Sequence, residues 1–132
     1  MVSPIGRIRH LADIDSADEG VQAEAERQAI NSPVQGFGSD INFVSLIKLW
    51  RMMRPVWNTE ARVVLMVHDA IAFEIKNEYL NKWLPIIKET MEDMTTLEEW
   101  FNCRIDVPIE VEIEFGTHWG DAVVWDGKEV KI

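Results

Sequence analysis

Apolar and polar residues follow two rhythms along this chain, and each rhythm predicts a set of elements. In "DVPIEVEIEFG", Ile109, Val111, Ile113 and Phe115 alternate with Glu110, Glu112 and Glu114, the period of a strand over 107–116 with one wet face. "VVLMVHDAIAFEI", Val63 to Ile75, is nearly all apolar, and predicts two strands with a tight connection over 62–75. "NEYLNKWLPIIKETMEDM" changes period. Tyr79, Trp83, Ile86, Ile87, Met91 and Met94 recur at helical spacing opposite Lys82, Lys88, Glu89, Glu92 and Asp93, so 78–100 is predicted as helical and amphipathic, lying on the sheet. Pro85 predicts a late start or a bend in it.

Upstream, "VQAEAERQAI" is rich in helix formers, and "SDINFVSLIKLWRMM" crowds Ile41, Val44, Leu46, Ile47, Leu49 and Trp50 on one side, with Ser39 or Asp40 as cap and Pro55 as stop. Between them, "NSPVQGFG" loses a backbone donor at Pro33 and holds two glycines, which predicts a break or kink within helices spanning 21–54. Residues 1–20 are turn-rich and charged, a loop or extended segment that ends near a helix start. No repeat or low-complexity segment interrupts this order. Helices, hairpin, helix and strand predict an α+β fold in one domain, 1–132: an antiparallel β-sheet, made of the hairpin plus the C-terminal strand, with helices packed on one side.

Composition supports one core: 132 residues, 47% apolar, with six Trp and five Phe. The single Cys103 leaves no disulfide framework and no Cys-based metal site. No apolar run approaches the roughly 18 residues of a membrane span, and "MVSPIGRIRH" lacks the apolar core of a signal peptide, so a soluble intracellular protein is expected. The net charge of −10 opposes nucleic-acid binding by the chain as a whole. Its distribution is polarised, however. Arg7 and Arg9 face no acid within residues 1–10, and Lys48, Arg51, Arg54 and Arg62 face only Glu60 within 41–66, whereas ten carboxylates face three basic side chains within 77–114.

Two groups of residues carry candidate chemistry. His68 and Asp69 interrupt an apolar run, and burying both without partners is costly, so the hairpin tip is their expected place. There, Asp69 either caps a turn or meets a metal or ligand. Arg27, Asn31 and Gln35 stand at i, i+4 and i+8, in one line on a helix. They are either an exposed polar face or a row of donors for the acceptors that all base pairs share in the minor groove.

These two groups occur in a longer context. "GRIRHLADIDS", "AERQAINSPVQGFGSDI", "VVLMVHDAIAFEI" and "VPIEVEIEFGTHWGDA" follow one another in an order that resembles the carboxyl-terminal part of family A DNA polymerases, the DNA polymerase I type of bacteria and many phages. The resemblance runs from about Gly6 to Ala122. It implies that Asp69 is the motif C carboxylate, one of two aspartates holding a pair of Mg²⁺ ions for nucleotidyl transfer. It places His68 near the primer terminus, and Arg27, Asn31 and Gln35 on primer and template in the minor groove. Lys48 and Arg51 would add attraction to the DNA backbone.

The sequence departs from the family at two points. Ala70 stands where motif C usually continues with Glu, and no block carries motif A or the nucleotide-gripping Lys, Arg and Tyr of the fingers. Asp40, Asp121 and Glu74 have no spacing that completes a metal site with Asp69. The resemblance therefore implies a partial polymerase: a split subunit, an excised piece or a remnant. Its partners would be primer-template DNA, dNTP and an amino-terminal portion bearing motifs A and B, with self-association where that portion is missing, and its location the cytoplasm of a bacterium or a phage-infected host. One rival reading is a non-catalytic DNA-binding module that uses Asp69 only as a turn residue. Another is a metal-dependent hydrolase built on His68 and Asp69, for which His10 and His118 lie in unrelated contexts.

Overall fold

The computed structural model describes residues 1–131. A long helix, α1 (Glu19–Met53), runs the length of the fold. Asp18 caps it, its Oδ1 accepting from the backbone N–H groups of Gly20 at 2.9 Å and Val21 at 3.2 Å. The break expected at Pro33 is corrected: α1 is continuous through it. Proline removes a single donor, and the good helix formers before it and the buried turns after it hold the two halves in one helix. Nor does a new cap form at Ser39 or Asp40. The Ser39 hydroxyl donates to the Gln35 carbonyl at 3.2 Å, and Asp40 is buried and ion-paired with Arg7.

Pro55 ends α1 in a short 3₁₀ turn, Arg54–Val56, and the chain then forms an antiparallel hairpin of β1 (Ala61–Val67) and β2 (Ala70–Ile75). A 3₁₀ turn, Asn77–Tyr79, leads into α2 (Leu80–Glu92), which contains Pro85, and α3 (Thr95–Phe101) follows. The helical region expected over 78–100 is thus divided. Asp93 marks the division, leaving α2 extended while its Oδ1 accepts from the Thr95 amide at 3.1 Å and the Thr95 hydroxyl at 2.6 Å.

The core forms where α1, the hairpin and α2 meet. Leu49, Met53, Ala61, Trp83, Ile87 and Met91 are buried together, with Val63, Ile71, Phe73 and Ile75 of the hairpin packed against them. Helix α2 shares this core with α1 and the hairpin, and the class is α+β with a small antiparallel sheet.

The C-terminal strand does not join the hairpin, which corrects the single three-stranded sheet. Only Glu114–Phe115 (β3) is strand, and it pairs with Val123–Val124 (β4). Upstream of it the alternation still governs burial, with Val111 and Ile113 packed on the core. Side chains of α2 take the place of a ladder partner: Lys88 Nζ donates to the Val111 carbonyl at 2.8 Å, and the Val111 N–H donates to Glu92 Oε1 at 2.9 Å. Once those backbone groups are satisfied, pairing with the hairpin edge gains little. Gly116 begins the turn to β4, where a Cβ would lie 2.6 Å from Asp121 Oδ1 and 3.0 Å from the Ala122 backbone.

Candidate metal-binding and nucleic-acid site

Val67 pairs with Ala70, so His68 and Asp69 are the two residues of the hairpin loop. His68 has φ of 53°, in the left-handed region, and Asp69 does not. A positive φ at the first loop residue suits the twist of a tight hairpin, and histidine is one of the non-glycine residues enriched there. Both side chains are exposed. Among the described residues nothing pairs with the Asp69 carboxylate.

A β-bulge sets how the strand enters this loop. Val63 pairs with Phe73 and Leu65 with Ala72, which leaves Val64 as the extra residue. Beyond it the faces exchange: Met66 is half-buried opposite Ile71, while Leu65 and Val67 are exposed. Arg62 and Glu74 close the outer face at the far end of the hairpin, with Nε donating to Oε2 at 2.7 Å.

The tip is tied to α1 by one hydrogen bond. Asn42 Nδ2 donates to the backbone carbonyl of Asp69 at 2.8 Å. Arg27, Asn31 and Gln35 lie on the same helix, all exposed, and because α1 is unbroken they keep one line, each about 40° further around than the last. Asn42 follows Gln35 by seven residues, about two turns and 10 Å along the axis, on the same side. The structure thus brings the donor row and the hairpin tip to one face of one helix. Arg27 is engaged with Glu24, one turn earlier, in an exposed ion pair.

Several other basic residues are engaged within the fold. Lys48 Nζ reaches Asp93 Oδ2 at 2.7 Å, Arg51 lies over the Trp100 ring at 5.4 Å, and Arg54 lies over Trp50 at 5.3 Å. Arg7 pairs with Asp40, whose other carboxylate oxygen is buried without a partner. Lys48 holds the Asp93 carboxyl down at about 2, with Thr95 adding to the effect. Lys88 and the Val111 amide hold Glu92 below the usual carboxylate range, and Lys82 with Trp83 does the same for Glu60. His10 borders the first turn of α1, and His118 sits in the 117–121 turn against Asp121. Asn42 and the Arg7–Asp40 pair escape sequence reasoning. A polar residue inside an apolar helical stretch, Asn42 in "DINFV" and Asp40 beside it, is the only sign of them.

An exposed carboxylate with no protein partner is chemically suited to a hard divalent cation such as Mg²⁺. It is one ligand, and no group of three His, Cys, Asp or Glu side chains converges among the described residues. The tip therefore fits as part of a metal site rather than as a whole one. The β-hairpin thus presents a carboxylate beside a long helix that carries an outward row of Arg, Asn and Gln.

Comparison with known proteins gives the family. Residues 1–121 match the model of DNA polymerase family A, and the chain belongs to that family. It is 38% identical over 117 residues to a DNA polymerase of Bacillus phage SP01, and 33% identical over 117 residues to the thermostable DNA polymerase I of Thermus filiformis; each alignment covers 89% of this chain and 13% of the relative. The solved POL domain of Pol1 from M. smegmatis, in complex with DNA primer-template and dNTP, superimposes with a TM-score of 0.69 at 29% identity, covering 83% of this chain and 18% of that one. The chain thus spans about an eighth of the length of these curated relatives.

Proposed function

We propose that this chain supplies the motif C carboxylate and part of the duplex-contacting surface for template-directed nucleotidyl transfer. The observation that carries the reading is the placement of Asp69, exposed and unpaired on a two-residue loop, beside the helix that bears Arg27, Asn31 and Gln35. Asp69 would hold Mg²⁺ together with carboxylates from outside these 132 residues, on the same or another polypeptide. When bound, a metal pair supplies activation of the primer 3′ hydroxyl and stabilisation of the leaving pyrophosphate. This chain's other groups would hold the duplex. Arg27, Asn31 and Gln35 donate to minor-groove acceptors and fix the duplex in register, a readout that tolerates any base sequence. His68, next to Asp69 on the exposed tip, would border the primer end.

The solved neighbour's primer-template and dNTP are the partners this reading assigns here, together with a segment carrying motifs A and B. Ala70 favours one alternative, a DNA-binding module without catalysis, because it removes the carboxylate usual beside the metal ligand. Primer extension decides between them. With the motif A and B segment supplied, Asp69→Ala should reduce extension by at least about a thousandfold while primer-template affinity stays within about threefold. Extension indifferent to Asp69→Ala would leave only the binding module.

A further inference from the structure

We infer that Asn42 is a positioning residue for Asp69, and that it makes α1 the common frame for the duplex-contacting row and the metal-binding carboxylate. The inference rests on the proposed function and adds to it a side chain that the shared motifs do not include.

Three observations carry it. First, the Asn42 amide reaches across 27 residues of sequence to the Asp69 backbone carbonyl at 2.8 Å, a direct side-chain link between α1 and the tip. Second, the tip is otherwise weakly held. His68 occupies the left-handed region, both loop side chains are exposed, and no other tertiary hydrogen bond reaches the loop among the described residues. Third, Asn42 lies on the side of α1 that carries Gln35, two turns away, so the geometry of that helix sets the offset between minor-groove donors and tip.

The Asp69 carbonyl oxygen lies in the planar peptide group that joins Asp69 to Ala70, whose orientation is set by the Asp69 ψ angle. Pinning the Asp69 carbonyl therefore restricts the Asp69 backbone torsions and, through them, the directions open to its carboxylate. Ala70 raises the importance of that restraint, because the neighbouring position offers no second carboxylate to compensate for a misdirected one. An asparagine in a helix interior is also a poor helix former, so its presence inside "DINFV" costs a little helix stability that the tip contact offsets.

Two measurements on Asn42→Leu, a near-isosteric change that removes the donor, test this. On the 132-residue chain, amide hydrogen exchange at His68, Asp69 and Ala70 should speed up by about tenfold, with the far end of the hairpin, at the paired Arg62 and Glu74, unchanged. On the polymerase assembled with motifs A and B, kcat should fall by about 10- to 100-fold and the Mg²⁺ concentration for half-maximal extension should rise, while the Kd for primer-template stays within about threefold. Asn42→Gln, which keeps the amide, should recover part of both losses; a merely structural Asn42 would lower thermal stability and leave the Mg²⁺ dependence in place. An unchanged Mg²⁺ dependence and kcat in Asn42→Leu overturns the inference even if Asp69→Ala is inactive. If Asp69→Ala has no effect on extension, the proposed function falls, and the positioning role falls with it; the exchange measurement then shows separately whether the Asn42 contact orders the tip.

Discussion

Arg27 illustrates how a single side chain can be available and occupied at once. Its side chain is 71% exposed, yet it pairs with Glu24 one turn earlier on α1. Such exposed helix pairs are worth only about 0.3–0.5 kcal/mol, so a duplex presenting desolvated acceptors would displace Glu24 readily. Glu24→Gln should therefore tighten primer-template binding about two- to threefold, by removing both the competing partner and a repulsive charge. Arg27→Ala should weaken binding about tenfold and nearly equally across primer sequences, as shared minor-groove acceptors demand. Equilibrium binding at one fixed salt concentration measures both. An Arg27→Ala variant that binds as tightly as the parent would remove Arg27 from the DNA-contacting row.

Two junctions between elements, beside the apolar core, are made by charged side chains reaching across gaps. Asp93 ends α2, starts α3 and receives Lys48 from α1, so one carboxylate joins three helices. Its pKa is lowered from 3.8 to about 2, first by the hydrogen bond from Lys48 and then by that from Thr95. A depressed carboxylate stabilises the fold at pH above its unfolded value and loses that contribution as pH falls through the folded one. The Asp93 side chain is 41% exposed, so screening keeps this near about 1 kcal/mol or less. Thermal melts of the parent and Asp93→Asn should differ at neutral pH and converge between about pH 4 and pH 2. A second junction holds the tail on α2. Glu92→Ala leaves the Val111 N–H without its acceptor and should cost about 1–2 kcal/mol in urea unfolding, with the tail exchanging faster than the hairpin.

Across the whole molecule, the surface retains apolar residues that a chain of this charge has not covered. Phe43, Ile47 and Trp50 are exposed along α1, Leu65 and Val67 on the outer face of the hairpin, and Trp119 in the tail. Surfaces of this kind, with a free strand edge beside them, favour association. The proposed occupant is the rest of a polymerase domain, and without it the chain is expected to self-associate. Light scattering after size exclusion should show a mass above 15.2 kDa that falls toward the monomer value for Trp50→Ser with Leu65→Ser, with Tm changed by only a few degrees. Addition of the motif A and B segment should replace that species with a one-to-one complex. A compact monomer that ignores the segment would argue against the partner part of the proposed function. Leu49, fully buried, serves as the contrast: Leu49→Ala should lose about 2–5 kcal/mol of stability.

What the sequence alone determined was local. Alternation in "IEVEIEF", helical spacing in "YLNKWLPIIKETM" and the only polar pair in "VVLMVHDAIAFEI" each depend on neighbours a few residues away, so the wet and buried faces, the amphipathic α2 and the His68–Asp69 loop could be read without coordinates. Other features depended on distant partners. "VVLMV" is apolar throughout, so it carries no record of the bulge at Val64 that turns Leu65 and Val67 outward. Pro33 and its glycines predict a break, and packing of the second half of α1 overrode them. The C-terminal strand has the pattern of a sheet member, but Lys88 and Glu92 bond the backbone of Val111, and Glu114–Phe115 pair with Val123–Val124 instead of the hairpin. The same limit applied at the candidate site: Asn42 gains a role only from a carbonyl 27 residues away, a distance no periodicity spans and only the folded chain closes.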